Sequence, residues 1–134
     1  MTSILFLCTG NSCRSQVAEG WANSMRVFSQ VDSAGIETHG LNPKAVTVMA
    51  EMGIDISVQE SKEVTEFDLD SYDLVVIVCG DADERCPMFE SAKQLHWQLE
   101  DPAKLADSET EIIRGFRATR DEIQALVRAL ALEK

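Results

Sequence analysis

Cys8 and Arg14 enclose the pentapeptide Thr9-Gly10-Asn11-Ser12-Cys13, and Ser15 follows at once. These residue types at this spacing can hold an anion against a nucleophile. Gly10 and its small neighbours let backbone N–H groups turn inward as a cradle, and a helix beginning near Ser15 points its positive end at the same space. Arg14 adds a planar fork of donors matched to two oxygens of a tetrahedral oxyanion. Cys8, at the base, lies where the dipole and Arg14 favour its thiolate. A thiolate in an anion cradle is a nucleophile facing an electrophilic centre. Ser15 is placed to donate a hydrogen bond to the sulfur and to steady it as a leaving group. Thr9, Gly10, Asn11, Ser12, Cys13 and Arg14 are therefore the expected substrate-binding set, with the Cys13 side chain a bystander turned away from the substrate. A buried strand-end cysteine and a surface arginine are the bland alternative, since Cys-x5-Arg arises easily by chance. The setting between a buried strand and a capped helix, with Gly10, Asn11 and two serines inside, favours the cradle.

The flanking elements must position this loop. Ser3 to Leu7 (SILFL) is a short continuous apolar run, the pattern of a strand buried on both faces of a parallel sheet. From Ser15 to Met25, Val17, Ala18, Trp21, Ala22 and Met25 share one face of an amphipathic helix. A second strand is expected from Val27 to Ser33, ended by the turn signal Ala34-Gly35. Asn42 as N-cap, Pro43 as first helical residue and Gly53 past the end bracket the next helix, whose apolar positions include Val46, Met49 and Met52. YDLVVIVCG is another buried strand, ending at Cys79-Gly80, and a weaker strand spans Leu95 to Leu99. From about Glu111, a stripe of Ile112, Phe116, Ile123, Leu126, Val127 and Leu130 marks a long closing helix. Strands alternating with helices predict an α/β three-layer sandwich, a central four-stranded parallel sheet flanked by helices. Ligands of such sheets sit beyond the carboxyl ends of the strands, the edge expected to carry both Cys8 and Cys79.

Further candidates come from the remaining thiols and acids. Cys79 and Cys86 admit a bland reading, a small core residue and a chance thiol. Metal binding is a weaker rival, because their spacing lacks the short pairing of zinc sites and the chain has only 2 histidines. Protonation of a leaving oxygen calls for a carboxylic acid over the cradle. Asp101, in LEDPAK, stands just after the last expected strand and before Pro102, which stiffens the loop; Glu100 is the runner-up, and His96 and Trp97 read as packing residues.

Bulk properties narrow the partners. At 134 residues, with 45% hydrophobic and 26% charged residues, the chain suits one domain, 1–134, able to bury a core. A net charge of −11 argues against nucleic acid or an anionic membrane, and requires any anion site to be strong and local. No apolar stretch approaches the ~20 residues needed to span a bilayer, and the first eight residues lack the pattern of a signal peptide. The 4 cysteines then suggest working thiols in the cytoplasm. A monomer is expected from the small size and high charge.

LCTGNSCRSQVAEGW, SAGIETHGLNPKAV, GIDIS, DLVVIVCGDADERCP, HWQLEDP and TRDEI together resemble the low-molecular-weight protein tyrosine phosphatase family, and within it most closely the thioredoxin-coupled arsenate reductases. The likeness covers nearly the whole chain, and its specificity lies in the set of segments. It implies a low-molecular-weight phosphatase-like, flavodoxin-like topology and a general acid at Asp101. It also implies a relay: Cys8 attacks arsenate, Cys79 attacks Cys8 and expels arsenite, and Cys86 carries the disulfide away as Cys79–Cys86. Thioredoxin is the implied external reductant, with no tightly bound cofactor. Some reductases of the family bind potassium at positions matching Asn11, Glu19 and Ser33; the fourth, an aspartate there, is Lys62 here, whose charge can replace the ion, so no metal is expected.

The relay has a geometric consequence. In a helix, Cα atoms seven residues apart lie ~10 Å from each other, whereas a disulfide needs roughly 4.4–6.8 Å. If helical, the segment from Cys79 to Cys86 must reorganise on oxidation, and Gly80, Asp81, Asp83 and Pro87 suit it to do so. Hydrogen exchange across residues 80–90 is expected to change on oxidation. Two other readings remain open from the residues: a phosphatase using Cys8, Arg14 and Asp101, and a non-catalytic oxyanion sensor. Cys79 and Cys86 discriminate among the three.

Overall fold

The apolar run before Cys8 forms β1, Thr2–Cys8, in which Ile4, Leu5, Phe6 and Leu7 have no exposed surface. The structure is a computed structural model, and it describes residues 2–78, 94–99, 102 and 108–132. Cys79, Cys86, Asp101 and Glu100, with the strand end at Cys79-Gly80 and the 79–86 segment, lie outside the described residues. The elements that follow are α1 (Arg14–Met25), β2 (Phe28–Gly35), α2 (Pro43–Ala50), short 3-10 turns at Val64–Glu66 and Leu69–Ser71, β3 (Leu74–Val78), β4 (Gln94–Trp97) and α3 (Glu109–Leu132). The sheet order is β2-β1-β3-β4 and every pairing is parallel. The strand that ends at Cys8 is thus central.

Alternation along β1 sends its side chains into two layers. Ile4, Phe6 and Cys8 join Val17, Ala18, Trp21 and Ala22 of α1, Ala45, Val48 and Met49 of α2, and Phe116, Ile123, Val127 and Leu130 of α3. Leu5 and Leu7 face the other side, with Ala34, Val75 and Ile77, beneath Val64, Phe67, Leu69 and Tyr72 of the connection carrying the 3-10 turns. The three α-helices are locked to one another by polar contacts. Trp21 Nε1 donates to the Arg120 carbonyl at 3.0 Å, and Arg120 Nη1 donates to the Val48 carbonyl at 3.0 Å and to Glu51 Oε1 at 2.8 Å. Among the described residues no helix is long and apolar enough to cross a membrane.

The four-stranded parallel sheet agrees with the sequence pattern, and three local expectations need correction. Ala34 and Gly35 are not a turn but the last two residues of β2, with Gly35 paired to Cys8. Met52 is not on the buried face of α2: the helix ends at Ala50, and Met52 lies beyond its C-cap, 43% exposed. Trp97 packs, its ring 5.8 Å from that of Phe6, but His96 is exposed, because β4 is the edge strand and His96 stands on its outer surface.

Candidate active site

Between β1 and α1 the chain makes a loop whose carbonyls all find partners outside it. Thr9 O accepts from Glu37 N at 3.0 Å, Gly10 O from His39 N at 3.0 Å, and Ser12 O from Asn42 N at 2.9 Å. Gly10 O also takes the Ser61 hydroxyl, Asn11 O takes Gln16 Nε2 at 3.0 Å, and Cys13 O takes Val17 N at 2.8 Å. In a trans peptide the N–H points opposite to the carbonyl. Turning every carbonyl from Thr9 to Cys13 outward therefore turns the amide edge of the loop inward, the arrangement of an anion nest. The helix end adds to it, since Cys13, at the N-cap of α1, makes no side-chain capping bond. Cys13 itself packs into the core beside α1.

Two glycines allow the strap from Gly35 to Asn42 to lie so close. A Cβ on Gly35 would stand 2.7 Å from Asn11 N, 2.7 Å from Glu37 O and 2.8 Å from Thr9 O, all backbone atoms. One on Gly10 would stand 2.3 Å from His39 Nδ1. Asn11 takes the left-handed turn of the loop at φ 47°, a conformation asparagine tolerates.

Asn11 also organises the polar groups behind the sulfur. Its Oδ1 accepts from the Lys62 backbone N–H at 2.7 Å and from Gln16 Nε2 at 3.1 Å. Because a main-chain N–H can only donate, this fixes which way the amide faces. Asn11 Nδ2 then donates to Ser15 Oγ at 2.8 Å and to Ser33 Oγ at 2.9 Å. Asn11 Nδ2 occupies one lone pair of the Ser15 hydroxyl and leaves its proton free for Cys8 Sγ, 2.8 Å away, and Asn11 N–H donates to the same sulfur at 3.2 Å. Cys8 Sγ thus has two hydrogen-bond partners, the Asn11 N–H and the Ser15 hydroxyl. Ser33 likewise donates onward to Glu19 Oε1 at 2.5 Å. Burial holds the Glu19 carboxyl above its ordinary range; the Ser33 bond and the Lys62 charge partly offset this, and Asp32 reinforces it.

Arg14 is buried, with Nη1 donating to the Leu99 carbonyl at 2.8 Å, so the segment after β4 anchors its guanidinium. Lys62 Nζ donates to the Glu60 carbonyl at 3.1 Å, and its charge reaches Glu19 through space. Asn11, Ser33 and Glu19 come together, but the arrangement does not suit a cation: Asn11 presents its NH2 to Ser33, and its carbonyl oxygen is taken up by Gln16 and Lys62 N. Thr9 and Ser12 are half-buried in the loop, and Pro102 is buried.

Sequence reasoning missed the residues that brace the loop from outside: Gln16, Gly35, Ser61, and the backbone of Glu37, His39 and Asn42. Gln16 sits fully buried in the first turn of α1, donating to Asn11 and to the Glu60 carbonyl at 2.9 Å. A glutamine flanked by Ser15 and Val17 carries no local mark of that role. Gly35 did carry a signal, but one that reads equally as a turn.

A family model described as low molecular weight phosphotyrosine protein phosphatase matches residues 3–134. An arsenate reductase of Bacillus subtilis (strain 168) is 52% identical over 122 residues, which is 90% of this chain and 88% of that protein. A solved structure of an arsenate reductase in the phosphate binding state aligns with a TM-score of 0.83 at 33% identity, over 99% of this chain and 98% of that one. Another, of an arsenate reductase in oxidized state, aligns with a TM-score of 0.80 at 31% identity, over the same shares of the two chains.

Proposed function

We propose an arsenate-reducing function for this protein, which belongs to the low-molecular-weight phosphotyrosine protein phosphatase family. The observation that carries it is Cys8 Sγ held by the Asn11 N–H and the Ser15 hydroxyl at the base of an inward-facing amide loop. A sulfur nucleophile so placed faces a tetrahedral oxyanion held in the loop. Cys8 forms a bond to arsenic(V) while an arsenate oxygen, protonated by Asp101, leaves as water. The Arg14 side chain and the loop amides of Gly10, Ser12, Cys13 and Arg14 hold the remaining oxygens, with Thr9 and Asn11 completing the loop that shapes them.

The second half of the reaction separates this reading from hydrolysis. Phosphorus(V) is not reduced by thiols, whereas arsenic(V) is. The Cys79 thiolate attacks Cys8 Sγ, the S–As electron pair passes to arsenic, and arsenite departs. Two thiols are oxidised to the Cys8–Cys79 disulfide as arsenic(V) becomes arsenic(III). Cys86 then attacks Cys79, leaving Cys79–Cys86 and expelling Cys8 as a thiolate. Ser15 and Asn11 N–H stabilise that leaving group. In sequence Cys79 directly follows β3, whose Ile77 pairs with Leu7, next to Cys8. This supports Cys79 as the first resolving thiol.

Thioredoxin, through its dithiol, takes over the Cys79–Cys86 disulfide; we assign the protein to the cytoplasm as a monomer without a tightly bound cofactor. The test is arsenate-dependent NADPH oxidation in the presence of thioredoxin and thioredoxin reductase. Turnover is expected from the wild type. Cys79→Ser should stop arsenite release, and Cys86→Ser should block multiple turnover. Steady hydrolysis of an aryl phosphate with no NADPH oxidation, unaffected by either substitution, would make the protein a phosphatase instead.

A further inference from the structure

We propose that Gln16 is a positioning residue for the nucleophile, acting on Cys8 through Asn11. The proposal rests on the reading that Cys8 is the nucleophile. Gln16 is fully buried, and its amide is committed on every side: Nε2 donates to Asn11 O at 3.0 Å, Asn11 Oδ1 at 3.1 Å and Glu60 O at 2.9 Å, while Oε1 accepts from Gln59 Nε2 at 2.7 Å. Gln59 Nε2 also reaches the Gln16 carbonyl at 3.1 Å. The loop 59–60 thus holds Gln16 in one orientation, with its NH2 toward Asn11.

The consequence runs along the hydrogen-bond chain. An NH2 aimed at Asn11 can only meet the carbonyl end of that side chain, so Asn11 Oδ1 faces Gln16 and its Nδ2 faces Ser15 and Ser33. Reversed, Asn11 would press its NH2 against two donors, Gln16 Nε2 and Lys62 N, and offer Ser15 an acceptor. The Ser15 proton would then turn to Asn11 and leave the sulfur. Gln16, together with the Lys62 N–H, therefore holds the Asn11 orientation that donates to Ser15 Oγ and leaves the Ser15 proton free for Cys8. It also fixes the Asn11 peptide whose own N–H meets the sulfur. Among the described residues the charged groups near this chain include Glu19 beyond Ser33, Lys62 and Asp32 beside Glu19, Arg14 in the first turn of α1, and Glu60, whose carbonyl accepts from Gln16. None of them bonds to Gln16 through its side chain.

The test uses the full chain with no arsenate added, so its result stands whether or not the protein reduces arsenate. Alkylation by iodoacetamide at neutral pH is followed on the Cys8 peptide by mass spectrometry. In parallel, the thiolate's ultraviolet absorbance is read against a Cys8→Ser reference. Gln16→Met, which keeps the volume and removes both amide groups, is expected to slow Cys8 alkylation about five- to tenfold, the worth of one lost hydrogen bond. It should lower the thiolate absorbance with it. In an Asn11→Ala background the same substitution should add nothing, since the two act as one unit. A lower melting temperature with unchanged alkylation and absorbance would overturn the proposal, leaving Gln16 a brace of the fold. So would effects that simply multiply with those of Asn11→Ala. If Gln16→Met does not fold, Gln59→Ala in the half-buried loop carries the test: a slower Cys8 alkylation supports the proposal, and an unchanged rate overturns it.

Discussion

Gly35→Ala isolates the contact between the end of β2 and the nucleophile loop. Gly35 does not adopt a positive φ, so alanine meets no backbone penalty there; its cost is steric. The new Cβ would lie 2.7–2.8 Å from Asn11 N, Glu37 O and Thr9 O, about 0.6–0.7 Å short of ordinary contact. All three neighbours are main-chain atoms, and Thr9 O and Glu37 N are bonded to each other, so none can swing aside alone. Overpacking of this kind costs about 1–3 kcal/mol, and the upper half of that range fits three rigid neighbours. For a chain of this length the cost corresponds to a fall in melting temperature of roughly 6–15 °C. Relief requires the Thr9–Asn11 backbone to move, which misaligns at least one amide aimed at the anion. A hydrogen bond to a charged group contributes about 1.5–3 kcal/mol, so phosphate affinity should fall roughly 10- to 100-fold. Denaturation and calorimetric phosphate titration measure the two effects on one sample. Gly53→Ala is the control, with φ 77° and nothing within 4 Å of its Cβ, and should cost about 1–2 kcal/mol through backbone strain with phosphate binding intact. A Gly35→Ala protein that binds phosphate as the wild type does would refute the argument that the β2 end shapes the anion loop.

Two further expectations follow from the groups behind Asn11. Glu19 is held above its ordinary range by burial, so between the unfolded value of 4.5 and its raised folded value the native state binds more protons than the unfolded chain. Its contribution is therefore lost as pH rises through that window. Glu19→Gln keeps an acceptor for Ser33 without the charge, and its urea midpoint should gain on that of the wild type between pH 4.5 and neutrality; a constant difference would contradict the assignment. Replacing sodium by potassium at equal ionic strength should leave arsenate turnover unchanged, because Asn11 turns a donor toward Ser33 and Lys62 supplies a fixed positive charge near Glu19. A several-fold rise in potassium would show that the Asn11 amide reorients to coordinate the ion.

The parts of the site written locally were legible. β1 announced itself as an apolar run because it is buried on both faces, and the loop because small residues between a strand and a helix have few other uses. Asn11 was recognisable as a left-handed position and Asn42 as an N-cap, since both depend on their own backbone. What escaped depends on neighbours brought from far along the chain. Gly35 looked like a turn because nothing near it in sequence reveals that the nucleophile loop crosses it. Gln16 went unnoticed because its partners, Gln59 and Glu60, arrive from beyond α2. Met52 was misplaced through the end of α2, and His96 through the edge position of β4, neither of which periodicity reports.

The outward carbonyls of the loop also determine how the site comes apart. The Thr9, Gly10 and Ser12 carbonyls are fastened by two excursions of the chain, one at Glu37, His39 and Asn42 and one at Ser61, of which only Leu41 in the first packs against an apolar cluster. With few of their residues in the apolar clusters, these excursions are expected to open before β1, α1 and α3 do, making the loop a local unit of lower stability. An oxyanion in the nest adds its binding free energy to that unit first. An anion bound there would steady the part of the structure expected to open first.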